Sequence, residues 1–489
     1  TVDEILFAGG RVAGVRLPAG GGPVEPRPEA IDANLAGDRR AEPVFPAEPA
    51  PADRFADPVE LRAGAVVLTG GTFMRGLMHT GERRTAGGRV GEGAAVGISE
   101  QLRRLGFELG RLKTGTPPRL ARGSIDWTSL EPQEADAEPV AFSDLSPAIL
   151  PAGRFPHLPA VDCRITATNE SIHAVIRENL HRAPMYCGQV EAETGPRYCP
   201  SIEDKVVRFA DRASHHVFLE PESLFTDEVY CNGISTSLPA EVQDRIVRSM
   251  PGCERAVIQR YGYAVEYDMV WPHQIDATTM SKPVPGLFLA GQINCTTGYE
   301  EAAAQGLVAG LNAARRVRGQ EPVRLGREES YIGVMMDDLV TKPPREPYRM
   351  FTSRAEHRLR LRSDNAGERL TPRAIAWGLT CPEREAAFAA STARRARVRE
   401  AMAAVRVGDR SLAHWLRRPE VTLEDVIARL PDAVAAEVPR PDIAACMVDE
   451  RYAVFVERQD SEVRRSRDLD ARTIPPWLEP ERVTGLRSE

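Results

Sequence analysis

The chain has 489 residues, 42% hydrophobic and 27% charged, with a formal net charge of −7. It is long enough for two or three domains with their own cores, and its acidity excludes general polyanion binding, so a nucleic-acid partner needs a local basic patch. No apolar run approaches the ~18–20 residues that span a bilayer, and the eight cysteines include no C-x-x-C pair, which argues against a zinc ribbon or a disulfide scaffold and for reduced thiols.

In chain order, EILFAGGRVAGV has strand, turn and strand character. Thr1 is followed by Asp3 and Glu4 rather than by a basic and then apolar segment, so no secretory signal is read and a cytoplasmic or organelle-matrix location is expected. Residues 17–59 are crowded with Pro, Ala, Gly and charge and lack either hydrophobic period, which predicts a mobile surface loop. GAVVLTGGTF reads as an apolar strand ending in Thr69, Gly70 and Gly71, a strand end suited to a ligand. GISEQLRRLGFELGRLKTGTPPRL predicts a helix from about Ser99, then a strand and a proline-terminated turn. His215 and His216 fall at a loop or strand start with no partners at metal spacing, so no metal site is expected.

Leu287, Phe288 and Leu289, bounded by Gly286 and Gly291, predict a short buried parallel strand. Thr297 and Glu300 have the T-x-x-E spacing of a capping box, so a helix should begin near Gly298, with Glu300 in a structural role first. Small residues at Gly291, Gly298 and Gly306 allow close backbone approach, and unpaired N–H groups in the first turn suit a phosphate, a carboxylate or an electron-rich ring. An ordinary strand–turn–helix of an α/β core has the same pattern. From about Arg327 helical stretches dominate. Arg345, Arg349, Arg354, Arg358, Arg360 and Arg362 form the densest basic run; if TSRAEHRL is helical, Arg354 and Arg358 share a face, with Glu346 and Glu356 as pairing partners. The run is either a salt-bridged solvated face or, with Arg111, Lys113 and Arg119, a set of RNA phosphate contacts.

Seven segments in order, VVLTGGTFMRGLMHTGE, AGGRVGE, GRLKTGTPPRL, GPRYCPSIEDKVVRFADR, VYCNGISTSLP, GQINCTTGYEEAAAQG and EPYRMFTSRAEHRLRLRSDNAGERLT, resemble the GidA (glucose-inhibited division protein A) family, flavoproteins that modify the wobble uridine of certain tRNAs. The resemblance runs from Val2 to about Leu486. It implies an α/β fold: a Rossmann-like FAD-binding domain in two parts, residues 1–115 and 276–326, an inserted NAD-binding and substrate domain over 116–275, and a helical C-terminal domain over 327–489. FAD would sit at the turn after Gly291, against Gln292, Asn294, Thr297 and Gly298, with Gly70, Gly71 and Val2 as further contacts. The nicotinamide cofactor, NADH, would meet Gly195, Pro196, Arg197, Tyr198, Pro200, Ser201, Ile202, Glu203, Asp204, Lys205 and Phe209.

Cys199 matches a family cysteine required for activity, and Arg197 and Lys205 would lower its pKa if they face it. The implied reaction places an aminomethyl-type group on C5 of uridine 34, with methylene-tetrahydrofolate as carbon donor and glycine or ammonia as nitrogen donor. The implied partners are tRNA, a GTPase in a heterotetramer and a second copy of the chain, with no membrane and no metal. Two other readings are a folate-dependent tRNA uridine methyltransferase flavoprotein and a tRNA- or GTPase-binding homologue without redox chemistry. Against the family pattern, Cys295 stands where glycine is usual, Ala95 replaces a serine that contacts FAD, and His357 replaces a tyrosine. The text begins beyond the family's Gly-rich dinucleotide fingerprint and stops before its last helices, so a fragment of a longer protein, binding FAD weakly by itself, is expected.

Overall fold

The computed structural model describes residues 4–17, 58–137, 158–188, 200–342 and 346–470, with the positions 2, 139–143, 145, 146, 155, 190, 344 and 473. The expected loop, apart from its two ends, the stretch from Gly195 to Cys199, and Arg345 lie outside these. Two compact units emerge, one of residues 1–140, 156–324 and 335–350, the other of 141–155, 325–334 and 351–489.

In the first unit, β1 (Glu4–Ala8), β2 (Arg11–Leu17) and β3 (Val59–Arg62) form an antiparallel sheet in that order. A second sheet is built from β4 (Val66–Leu68) and, much later in the chain, the strand that pairs with it in parallel. Then come β5 (Leu77–Thr80), β6 (Arg83–Ala86), α1 (Gly97–Arg104) and β7 (Leu109–Thr116).

A six-stranded antiparallel sheet follows. Its strands in chain order are β8 (Arg119–Ala121), β9 (Glu131–Gln133), β10 (Cys163–Ala167), β11 (His216–Pro221), β12 (Glu228–Asn232) and β13 (Ile258–Arg260), arranged β13-β8-β12-β11-β10-β9. The helices α2 (Glu170–Asn179), α3 (Ile202–Arg208) and α4 (Ala240–Arg248) share its core, where Ile172, Ile176, Ile202, Val242 and Ile246 pack with Leu120, Val217, Leu219 and Val229. Asn169 caps α2 by accepting from Ile172 N–H, and Ser201 caps α3 by accepting from Asp204 N–H.

The chain leaves this sheet at Arg260. The next strand, β14 (Tyr263–Val270), lies between β5 and β7 in a separate sheet ordered β6-β5-β14-β7. All eight of its residues are buried. Their period of two puts Tyr263, Val265, Tyr267 and Met269 on one face and Glu266 and Asp268 on the other. β15 (Leu287–Leu289) pairs in parallel with β4, and α5 (Tyr299–Val317) follows it. The unit division then falls within α6 (Tyr331–Thr341).

Among its described residues the second unit is helical apart from one short hairpin: α7 (Ala366–Ala376), α8 (Pro382–Ala404), β16 (Arg406–Val407), β17 (Arg410–Ser411), α9 (Leu412–Trp415), α10 (Leu423–Ile427), α11 (Asp432–Glu437) and α12 (Arg440–Asp470). Val398, Met402, Leu412, Leu416, Val426, Ile443 and Cys446 form its core. TSRAEHRL is not an α-helix. Thr352–Arg354 make one 3-10 turn, and the chain then folds on itself with Arg360 and Leu361 N–H both donating to His357 O. Among the described residues no helix is long and apolar enough to cross a membrane.

Candidate cofactor site

β4 and β15 are parallel and in register, with Val66, Val67 and Leu68 opposite Leu287, Phe288 and Leu289, and Ala290 N–H donates to Leu68 O at 3.1 Å. Thr69–Gly71 and Ala290–Gly298 therefore leave from the same carboxyl end, where a crevice between diverging loops takes ligands in parallel sheets. Gly71 (φ 53°) and Gly291 (φ 89°) adopt backbone angles that side chains disfavour. Ala95 lies beside the first loop: its N–H donates to Phe73 O, its carbonyl accepts from Arg75, and Phe73 N–H donates to Gly70 O. Val2 precedes β1 and is half-buried.

A residue that sequence reading missed shapes the second turn. Gln305, fully buried, accepts from Gly291 N–H and from Asn294 Nδ2, and donates to Thr296 Oγ1 and Glu301 O. The available signal was a polar side chain four residues after Glu301 in an otherwise small and apolar helix. Asn294 also donates to Leu289 O, while its buried Oδ1 has no donor among the described residues. Gln292 is half-buried, and its Nε2 donates to Tyr267 OH at 3.3 Å.

The expected capping box does not form. Gly298 is the N-cap of α5, with no side-chain cap, and Thr297 N–H donates instead to Tyr348 O. Glu300 points outward, 3.6 Å from Arg349 Nη2. Glu301 is the buried carboxylate, accepting from Met350 N–H at 2.8 Å and Arg349 Nη1 at 3.3 Å. Tyr348 N–H donates to Cys295 O, and Tyr348 OH to Asp338, so residues 348–350 are stitched along the turn. Arg349, expected at an RNA phosphate, is held here: its Nη1 also donates to Thr297 O, and a Cβ on Gly298 would fall 1.7 Å from that nitrogen. Cys295 has φ 57°, the left-handed region, which accounts for the family's glycine there. Burial pushes its thiol up to about 12, so it is no nucleophile near neutrality.

Of the expected dinucleotide residues, Gly195 to Tyr198 lie outside the described residues, as does Cys199. Pro200 is half-buried. Ile202 is in the core and its N–H donates to Ser235 O; Glu203 accepts from Thr236 Oγ1 and Ser237 N–H; Asp204 accepts from Tyr186 OH; Lys205 Nζ donates to Gly233 O. These contacts fasten α3 to its surroundings. Phe209, by contrast, is exposed and lines a surface cleft of about 490 Å³ with Arg212, Ala213, Ser214, His215 and His216. Burial lowers the pKa of His215 and of its ring neighbour His173, and among the described residues no cluster of metal-ligating side chains occurs.

Three expected RNA contacts, Arg111, Lys113 and Arg119, have protein surroundings. Arg111, its side chain 11% exposed, is paired with Asp268 at 2.9 Å and lies 3.5 Å from Glu266. Lys113 is buried. Arg119 is paired with Glu222, donates to Thr116 Oγ1 and Pro117 O, and lies 4.3 Å above the Tyr230 ring. A polyanion needs accessible cations, and these side chains are turned to the protein. In the second unit Arg360 pairs with Asp460 and Arg362 with Asp449 and Asp364. Glu356 binds Arg327 through two hydrogen bonds, not the basic run. Arg354 and Arg358 are exposed.

Residues 54–321 match the family model described as glucose inhibited division protein A, and 382–460 match that of the tRNA modifying enzyme MnmG/GidA C-terminal helical domain. The chain is 48% identical over 442 residues to the tRNA uridine 5-carboxymethylaminomethyl modification enzyme MnmG of Rhodopirellula baltica, covering 87% of this chain and 65% of that protein. It is 47% identical over 437 residues to the Thermus thermophilus protein of the same name, covering 89% and 71%. The form I crystal structure of Aquifex aeolicus GidA matches with a TM-score of 0.80 at 39% identity, over 100% of this chain and 74% of that one. The chain thus spans roughly two thirds of the length of these relatives.

Proposed function

The chain belongs to the GidA family, and from that premise we propose that it is an FAD-dependent enzyme that modifies C5 of the wobble uridine of tRNA. One observation carries the cofactor reading: an uncapped helix start, α5 at Gly298, follows a turn that shares the carboxyl end of the parallel strands β4 and β15 with Gly70 and Gly71. The residues fit such a group. The Oδ1 of Asn294, without a donor among the described residues, lies in the turn, Gln292 is half-accessible, and the first-turn N–H groups present positive charge to an electron-rich ring. When bound, FAD would supply flavin chemistry that assists transfer of the methylene from tetrahydrofolate to C5, where capture by glycine or ammonia gives the aminomethyl-type product without net reduction.

The rest falls to the chain. Cys199, as thiolate, would add to C6 of the uracil, making C5 the nucleophile that accepts the carbon. Its segment is anchored from Ser201 onward by the cap of α3 and by the Ile202–Ser235 hydrogen bond. NADH, the reductant, would dock along that segment, and the aromatic Phe209 beside Arg212 in an open cleft suits a base and a phosphate. Arg354 and Arg358, both exposed, would meet tRNA phosphates. A GTPase subunit, a second copy of the chain and a cytoplasmic location complete the reading. Cys199→Ser should keep flavin binding and reduction by NADH while abolishing uridine modification, and Cys253→Ser, whose thiol is in the core, should keep all three. Loss of flavin reduction in Cys199→Ser would move that residue to cofactor support.

A further inference from the structure

Along α8 of the second unit, guanidinium groups are tied to carboxylates: Arg394 and Arg395 to Asp442, Arg397 to Glu437, and Arg399 to Glu368 and Asp449. Cations neutralised in this way add little to the field that a polyanion meets. The hairpin β16–β17 and the turn after it differ. Residues 406–418 hold four arginines and a single carboxylate, Asp409, in a chain of net charge −7. Arg417 is paired, with Glu450 at 3.1 Å. The others have no carboxylate partner among the described residues: Arg406 donates to a backbone carbonyl, Asp409 O, Arg410 donates to His414 Nε2 at 2.8 Å, and Arg418 makes no side-chain hydrogen bond or ion pair. All three are exposed, as is His414. A guanidinium has no acceptor, so the contact with Arg410 requires an unprotonated His414 Nε2 and leaves the Arg410 charge uncompensated.

These side chains stand on a fixed frame. Leu412 and Leu416 are in the core, Val407 packs against it, and Leu412 N–H donates to Val405 O. Gly408, at φ 66°, makes the tight turn, and Ser411 caps α9 by accepting from His414 N–H. Val407 pairs opposite Arg410 and Ser411 opposite Arg406, so Arg406 and Arg410 leave opposite faces of the hairpin. Arg410, His414 and Arg418 follow one another at intervals of four. Charge without counter-charge, planar forks that match two phosphate oxygens, and a rigid support are what a phosphate backbone selects.

We propose that this hairpin and α9 form a contact for the phosphodiester backbone of tRNA, with Arg410 and Arg418 as the phosphate-binding side chains. That the polyanion is tRNA rests on the function proposed above. The test is tRNA binding by the full chain, measured by fluorescence anisotropy from low to moderate salt. Arg410→Ala and Arg418→Ala should each weaken binding about 3- to 10-fold and flatten the log K against log salt slope by roughly one, and the double variant by roughly two. Lysine at both positions should keep the parent slope, and Arg397→Ala, whose guanidinium is already paired, should leave it unchanged. The alanine variants should melt with the parent, since no carboxylate loses a partner. Slopes parallel to the parent in both single variants, as a merely solvated face or a docking site for an acidic protein would give, overturn the proposal, and so does a melting temperature that drops or a chain that fails to fold, which would assign these arginines to the fold. A parent that binds no tRNA at all overturns the function proposed above together with this contact, whereas a binding parent with unaffected variants overturns the contact alone.

Discussion

Cys295 shows how one side chain can stand where backbone geometry asks for none. At φ 57° its Cβ is strained, yet the thiol packs against Leu112, Tyr267 and Met269. Cys295→Ala keeps the strain and loses the sulfur contacts, whereas Cys295→Gly loses the contacts and relieves the strain. Glycine should therefore be the better replacement by about 1 kcal/mol, read from urea unfolding midpoints; alanine as the more stable variant would remove strain from the account. The same turn marks the reach of local spacing. T-x-x-E at Thr297 and Glu300 located the helix start but named the wrong glutamate, because the choice was made by Met350 N–H and Arg349, some fifty residues away in sequence.

Among elements, strands bounded by glycine were legible: β4 and β15 lie where apolar runs ended in Gly, and their loops were read as ligand-facing. The surroundings of the basic residues of β7 were not legible. Its Arg111 and Lys113 look like a surface patch until β14, over 150 residues later, places Asp268 and Glu266 opposite them. TSRAEHRL failed for a local reason: Asn365 donates to Arg360 O and accepts from Arg362 N–H, side-chain bonds that compete with helical ones, and the buried Ala355 and Leu361 are six apart, off a single helical face. The basic run nevertheless leaves Arg358 exposed. If Arg358 meets a tRNA phosphate, Arg358→Ala should weaken binding to all cognate tRNAs and flatten the log K against log salt slope by roughly one, without altering flavin content. Parallel slopes would take Arg358 out of the RNA interface.

At the level of the molecule, the α/β class and a helical C-terminal region could be read from pattern and motif, but the two-unit division could not, since residues 335–350 belong with the first unit through contacts that only folding reveals. The second unit carries its own pH signature. The Arg327 guanidinium, bonded to both oxygens of Glu356, holds that carboxyl at about 2 against an ordinary 4.5. A lowered folded-state pKa contributes stability above the ordinary value and loses it as pH falls toward the lowered one. The stability advantage of the parent over Glu356→Gln should hold above pH 4.5 and close toward pH 2; a gap that widens on acidification would mean the pair does not form.

The central claim is the chemistry on uridine. Its most direct test is mass-spectrometric nucleoside analysis of tRNA from a bacterial strain that lacks its own GidA-family gene and expresses the gene encoding this chain. The account predicts that C5-carboxymethylaminomethyl-type uridine returns at the wobble position with the parent gene and stays absent with Cys199→Ser. Unmodified wobble uridine in cells that accumulate the folded, flavin-loaded parent protein would contradict it.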